Sequence, residues 1–205
     1  MLILLTLMMM ILSCCGEVLI RSEDIHQRIY KTYRQLETYQ AKITVIVTSN
    51  KTTKEYVMNQ WYKYPNKFKM MLLEPEGFNG LVTIYNKGKI VTVHPDMQGA
   101  FILHNYTPVD KGHLFLTDFF ENYYKSQQTS MQTFFQGQAK YTVLKADIPG
   151  GHAHRVSQAM WIDNETCLPF KMEIYDDNNK PVITIIYEDI KLNVPMKEEI
   201  FEISE

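Results

Sequence analysis

The chain has 205 residues with a formal net charge of −2 at pH 7, and 45% of its residues are hydrophobic. This length and this apolar content suit one domain with a proper hydrophobic core. The near-neutral charge argues against a nucleic-acid-binding protein, because phosphate-binding surfaces carry a marked excess of Lys and Arg. We therefore expect no nucleic-acid partner.

The first fifteen residues contain no charged side chain and end on Cys14 and Cys15. Their apolar run is shorter than the about 20 residues that a spanning helix needs, so it predicts a cleaved secretory signal peptide. The cysteines resemble those of a bacterial lipobox, in which the cysteine after the cleavage site carries the lipid. Cys14 fits slightly better than Cys15, because the small residue Ser13 precedes it. The alternative is an ordinary signal peptide with incidental cysteines.

Residues 16–205 then form a single domain outside the cytoplasm, tethered to a bacterial membrane through the lipid. Cys167 is the only cysteine in this part of the chain. An intramolecular disulfide is therefore excluded from it, and its stability must come from burial. A lone cysteine of this kind is more often a packed residue than a nucleophile.

The predicted elements start with a helix. Apolar residues recur at spacings of four, four and three between positions 25 and 36, and Ser22 is the predicted N-cap. From residue 43 the period changes to two, with β-branched residues that favour a strand.

Short strands separated by turn residues follow. They are predicted at residues 56–62, 68–73, 81–85, 90–93, 101–103, 141–144, 155–162, 170–175 and 182–187. A second helix is expected between residues 111 and 125, and the short segment 134–135 is left undecided. This pattern predicts one α+β domain, in which a large curved antiparallel sheet forms an open half-barrel closed by a few helices.

The sequence contains no recognisable catalytic set. His152 and His154 would lie on one face of a strand, a spacing that can ligate zinc, but no third ligand stands nearby. Nucleophile elbows, HExxH helices and phosphate-binding glycine loops are absent from the sequence. We therefore expect no metal, no cofactor and no enzymatic activity.

The aromatic and methionine residues raise the question of a cavity for an acyl chain. The predicted lining residues are Trp61, Phe68, Met70, Phe101, Phe119 and Trp161. The alternative is that these side chains are simply the core of a half-open barrel. We also expect Trp161 and Phe170 to be core residues, because they lie in the most strand-like third of the chain.

Three segments carry a resemblance to a known family: residues 61–68 (WYKYPNKF), 86–95 (NKGKIVTVHP) and 161–169 (WIDNETCLP). Their order and spacing resemble those of the LolA/LolB lipoprotein-carrier superfamily, over roughly residues 22–203. The resemblance implies the half-barrel fold. Within the superfamily, the chain is similar to the spore-germination lipoproteins of clostridia.

That similarity implies a LolA-like fold without carrier activity and a specific partner. The partner is the N-acetylmuramoyl-L-alanine amidase that helps to make muramic-δ-lactam in spore cortex peptidoglycan. The expected location is then the membrane of the forespore or spore. A carrier that binds lipid or lipoprotein acyl chains is the alternative function. Such a sheet also allows a homodimer, in which two copies exchange edge strands.

Overall fold

The computed structural model describes residues 24–96, 98–105, 114–137, 139–151 and 153–202. The strands are β1 (Thr38–Thr48), β2 (Thr53–Lys63), β3 (Lys67–Glu74), β4 (Val82–Asn86), β5 (Lys89–Val93), β6 (Ala100–Leu103), β7 (Thr129–Gln136), β8 (Ala139–Asp147), β9 (Ser157–Asp163), β10 (Pro169–Tyr175) and β11 (Pro181–Leu192). The helices are α1 (Ile25–Arg34) and α2 (Leu116–Lys125), with 3₁₀ helices at Glu76–Phe78 and Glu198–Phe201.

The strands form one antiparallel sheet in the order β6-β5-β4-β3-β2-β1-β11-β10-β9-β8-β7. The first and last strands of the chain, β1 and β11, pair at the centre, and β6 and β7 are the two end strands. The sheet is not closed, because the described residues form no pairing between its ends. The predicted fold class, a large open antiparallel sheet with a few helices, is confirmed.

Helix α1 packs on the sheet through the predicted apolar stripe, with Ile29 and Tyr33 buried. Its N-cap differs from the prediction. The side chain of Asp24 accepts a hydrogen bond from the amide of His26 at 3.2 Å, so the helix begins at Ile25. Ser22, the predicted N-cap, lies outside the described residues and was the wrong choice.

Helix α2 begins at Leu116, later than the start that we predicted near residue 111. Its Phe119 and Phe120 are buried together with Leu116. The segment left undecided at residues 134–135 belongs to β7, an eight-residue end strand. The predicted turn between β4 and β5 is confirmed, with positive φ angles at Lys87 (49°) and Gly88 (78°).

Both helices cover the same face of the sheet, which we call the inner face. A row of aromatic side chains crosses the strands there, with Tyr39 beside Tyr62 and Phe68 beside Tyr85. Phe115, just before α2, packs on Phe68 with ring centroids 4.7 Å apart. Burial of such large rings is the main source of stability in the described domain, where Cys167 is free and no disulfide occurs.

Two expected core residues lie elsewhere. Trp161 faces outward on β9, because its neighbours Met160 and Ile162 occupy the inner face, and the Lys171 ammonium lies 3.7 Å from its ring centroid. Phe170 is 40% exposed. The prediction failed because alternation shows which residues share a face, but not which face the helices cover.

Candidate functional site

The six residues predicted to line a cavity do not come together. Phe68 and Phe119 are buried in the core beneath the helices, and Met70 packs against that core. Trp61 and Trp161 lie on the opposite, outer face, and Phe101 lies on the end strand β6. The inner face is filled by side chains such as Phe119 that are inaccessible to solvent.

A buried polar network fixes the approach to α2. The Tyr39 hydroxyl donates to Oε1 of Gln60 and accepts from the amide of Leu116, both at 3.2 Å. Nε2 of Gln60 donates to the carbonyl of Leu114 at 3.4 Å. Tyr39 and Gln60 are fully buried, and burial raises the pKa of the Tyr39 phenol well above its usual value. Tyr39 therefore remains a neutral, positioning side chain.

A groove with a volume of about 670 Å³ lies at one end of the central strands. The β1–β2 turn, the β10–β11 turn and residues 153–155 form its walls, and Val47 and Val182 form part of its floor. His154 lines the groove, whereas His152 lies outside the described residues. Within the described ranges, no group of three or more His, Cys, Asp or Glu side chains is placed to hold a metal ion.

Cys167 is a buried packing residue in the hairpin between β9 and β10. Its carbonyl accepts a hydrogen bond of 2.7 Å from the Tyr33 hydroxyl, which joins the hairpin to α1. Burial raises the pKa of its thiol, so the thiolate needed for nucleophilic attack is disfavoured. Cys167 is therefore a poor candidate for a nucleophile.

The C-terminal 3₁₀ helix is tied to the β2–β3 hairpin by Glu198. Its carboxylate accepts hydrogen bonds from the ammonium groups of Lys63, at 2.7 Å, and Lys67. These two hydrogen bonds lower the pKa of Glu198 to about 2. Lys63 follows Tyr62 at the end of β2 and Lys67 precedes Phe68 at the start of β3, so the ion cluster lies beside the β2–β3 hairpin.

The strongest candidate for a binding surface is the end strand β6. Four apolar residues of β6 and the adjacent end of β5 form what we call the β6 patch: Val93, Phe101, Ile102 and Leu103, with exposed fractions of 37, 63, 38 and 41%. The strand contains no charged residue, and only one of its two edges is paired among the described residues. Natural sheets usually protect such edges with Lys or Pro, so an unprotected apolar edge is suited to binding another chain.

Sequence reasoning identified Phe101 but missed its neighbours and Gln60. The exposure of Ile102 and Leu103 follows from their place at the end of the sheet, which depends on the pairing order of distant strands. Gln60 carries a weak signal: it alternates with Met58 and Tyr62, and both are buried.

The comparisons with known proteins agree with this architecture. The family profile described as "Sporulation protein YdcC-like" matches residues 1–201. Sporulation protein YdcC of Bacillus subtilis is 20% identical over 197 residues, which cover 96% of this chain and 57% of that protein. This chain thus spans little more than half the length of that relative.

Among solved structures, an uncharacterized conserved protein from Thermus thermophilus shares the fold, with a TM-score of 0.55 and 11% identity over 90% of this chain and 94% of its own. The structure of the CwlD amidase from Clostridioides difficile in complex with the GerS lipoprotein matches at a TM-score of 0.48 and 27% identity, covering 82% of this chain and 94% of the matched one. LolA superfamily protein NE2245 from Nitrosomonas europaea matches at a TM-score of 0.46 and 14% identity, and the match covers 86% of this chain and 96% of that protein. The predicted resemblance to LolA-like proteins and to the clostridial lipoproteins is confirmed.

Proposed function

The chain belongs to the family of YdcC-like sporulation proteins, and on that premise we propose that it is a non-catalytic lipoprotein that binds a cell-wall amidase. The partner is an N-acetylmuramoyl-L-alanine amidase, which the chain supports in the modification of spore cortex to muramic-δ-lactam needed for germination. Family membership supports the role in sporulation. The sequence resemblance to clostridial spore-germination lipoproteins supports the choice of partner.

The β6 patch is the observation that carries the binding role. Ile102 pairs with Val91 on the outer face, whereas Phe101 and Leu103 face the other way. A partner strand added at this edge would hydrogen-bond to the main chain of β6 and would contact apolar side chains on both faces of the sheet. We assign the amidase to this edge because four apolar side chains of β6 and the end of β5 stand exposed there without a charge among them.

The absence of catalysis rests on chemistry. Hydrolysis of an amide at neutral pH needs an activated water or nucleophile, together with groups that stabilise the oxyanion. Among the described histidines, His26, His94, His104 and His154 lie in separate elements, and the Cys167 thiol is buried. We infer that the partner supplies the active site and that this chain supplies the binding surface.

The carrier function is the competing hypothesis, and the packing disfavours it. An acyl chain on the inner face would have to replace Phe115, Leu116 and Phe119, none of which is accessible to solvent. Helix α2 would then have to leave the sheet and break the hydrogen bond from the Leu116 amide to Tyr39. A binding protein needs no such rearrangement.

The membrane attachment is part of the same proposal. No helix in the described part of the chain combines the length and apolar character needed to span a bilayer. A lipid on Cys14 or Cys15 would hold the domain on the outer side of the membrane, where the cortex is built. Both cysteines lie outside the described residues.

A binding measurement with two matched variants tests the role of the β6 patch. Phe101→Lys places a charge on the patch, whereas Phe135→Lys places the same charge on the other end strand, where Phe135 is 74% exposed. We expect Phe101→Lys to abolish co-purification of the amidase from detergent-solubilised cells of a sporulating host and Phe135→Lys to retain it. Equal binding by both variants would contradict the assignment, and co-purified lipid without amidase would favour the carrier.

Muropeptide analysis of cortex tests the absence of catalysis. The chain alone should leave peptidoglycan unchanged, and the chain with the amidase should produce the lactam precursor. Lactam precursor formed by this chain alone would make it an enzyme.

A further inference from the structure

A second exposed aromatic cluster lies at the opposite end of the sheet from the β6 patch. Its members come from the β7–β8 hairpin and the start of β10, and we call them the aromatic tip: Phe134, Phe135, Tyr141 and Phe170. Phe134 stacks on Tyr141 with centroids 5.6 Å apart, and Tyr141 meets Phe170 edge to face at 6.0 Å. Phe135 stands on the other face of β7 and is 74% exposed.

The tip combines aromatic rings with a cation and exposes rings on both faces of a hairpin. The Lys140 ammonium lies 5.2 Å from the centroid of the Phe135 ring. Phe134 and Phe170 are each 40% exposed. Apolar rings beside a basic side chain are the combination that membrane-surface segments use, since rings enter the boundary of the acyl chains and Lys meets anionic headgroups.

The beginning of the domain lies beside this tip. The Arg28 guanidinium, in the first turns of α1, donates to the carbonyls of Asn164 and Glu165 at 2.9 and 2.8 Å. The Asn164 amide donates to the carbonyl of Lys140 at 3.0 Å, and its side chain accepts from Thr142. One residue, Asn164, therefore connects the start of α1 with the hairpin that carries the aromatic tip.

The length of the chain before α1 limits how far the domain can move from a lipid anchor. Asp24 follows Cys14 by ten residues and Cys15 by nine, and a fully extended chain spans about 3.5 Å per residue, so the link reaches at most about 35 Å. A lipid at either cysteine holds the start of α1, and the neighbouring hairpin, close to the bilayer. The β6 patch lies at the other end of the strand order.

We propose that the aromatic tip inserts into the interface of the membrane that carries the lipid anchor. The inference rests on the lipoprotein part of the proposed function. A lipid on a flexible link attaches the domain to the membrane without fixing how the domain lies on it, and a second contact through protein side chains fixes that orientation. With the tip in the bilayer, the domain would present the β6 patch away from the surface, where an amidase can reach it.

Fluorescence quenching in vesicles tests this orientation. The full-length lipidated chain with Trp61→Phe and Trp161→Phe carries either Phe135→Trp or, as the matched control, Phe101→Trp. Vesicles of phosphatidylglycerol and brominated phosphatidylcholine provide the quencher. We expect the Phe135→Trp emission to fall about twofold, because interfacial aromatic rings lie beside the upper acyl chains. The Phe101→Trp emission should stay unchanged.

The outcomes separate the two proposals. Metabolic labelling with a palmitate analogue is measured on the same protein, and no label would overturn the lipid anchor and the inference with it. A labelled chain whose two tryptophans are quenched equally would overturn the inference alone. Emission at position 135 that changes only when the amidase is added would make the tip a protein-binding surface and overturn its assignment to lipid.

Discussion

The Tyr39 hydroxyl and the Gln60 carboxamide, on neighbouring strands near the middle of the sheet, hydrogen-bond to each other at 3.2 Å. Each also bonds to the segment that leads into α2, at Leu116 and Leu114. This pair forms a polar connection between the sheet and the segment that leads into α2. Because hydrogen bonds are directional, this network orients α2 on the sheet in addition to the apolar contacts.

Replacing Gln60 by Leu should lower the free energy of unfolding by about 1–3 kcal/mol, because the buried Tyr39 hydroxyl loses its acceptor. Urea denaturation measures the change. Asn59→Leu on the same strand faces outward and is the control, with an expected change within about 0.5 kcal/mol. Equal losses in both variants would show that the hydrogen bond has no special role.

Replacing Phe119 by Ala should lower the free energy of unfolding by about 3–5 kcal/mol, because this ring of α2 is completely buried against the sheet. Phe170→Ala removes a ring that is 40% exposed, so we expect a loss below about 1 kcal/mol. Thermal melts of the two variants provide the comparison. A larger loss in Phe170→Ala would return that residue to the core, where the sequence pattern had placed it.

The strands were predictable wherever one face of a strand is buried and the other is not. In β1 the residues from Ala41 to Val45 alternate between buried and half-buried, and the sequence shows the same period. In β9 the first four residues, Ser157–Met160, are all buried, so the covered face cannot be read from hydrophobicity. Trp161 was assigned to the wrong face for this reason.

The end strands were harder to predict, because a strand exposed on both faces lacks the alternation of apolar and polar residues that marks a half-buried strand. Phe134 and Phe135 are adjacent in β7 and point to opposite faces, so they match neither a helical nor a strand period. The position of β6 at the end of the sheet depends on how the other strands pair, which no local window contains. The binding surface that we propose therefore became visible only with the sheet order.

The ion cluster at Glu198 predicts a pH dependence of stability. Because Lys63 and Lys67 lower the pKa of Glu198 from 4.5 to about 2 in the folded state, the charged carboxylate stabilises the fold above the unfolded pKa. This contribution should decrease as the pH falls from 4.5 to about 2, when the folded carboxylate takes up its proton. Glu198→Gln should reduce the dependence of the melting temperature on pH in that window, and added salt should weaken it in the natural protein.

Glu199→Gln is the matched control, since it removes a neighbouring carboxylate of the same 3₁₀ helix without touching the two lysines. Its melting temperature should follow the pH as that of the unaltered chain does. A reduced dependence in Glu199→Gln, with none in Glu198→Gln, would refute the assignment.

Changing both Cys14 and Cys15 to Ala should release the chain from membranes and leave the fold intact, because the proposed anchor is removed outside the described domain. Metabolic labelling with a palmitate analogue and membrane pelleting measure the result. The single variants identify the lipidated residue, and we expect Cys14→Ala to abolish the label. A double variant that still labels and pellets would exclude lipidation at this site.

The central position of β1 and β11 has a consequence for synthesis. Tyr39 pairs with Leu192, so the middle of the sheet joins segments from opposite ends of the described chain. A polypeptide emerging from the ribosome or a translocation channel can form the β2–β5 and β7–β10 hairpins early, but it cannot complete the centre until β11 has emerged. Truncation before Pro181 would leave β1 and β10 as two unpaired strand edges and make the chain a substrate for proteases.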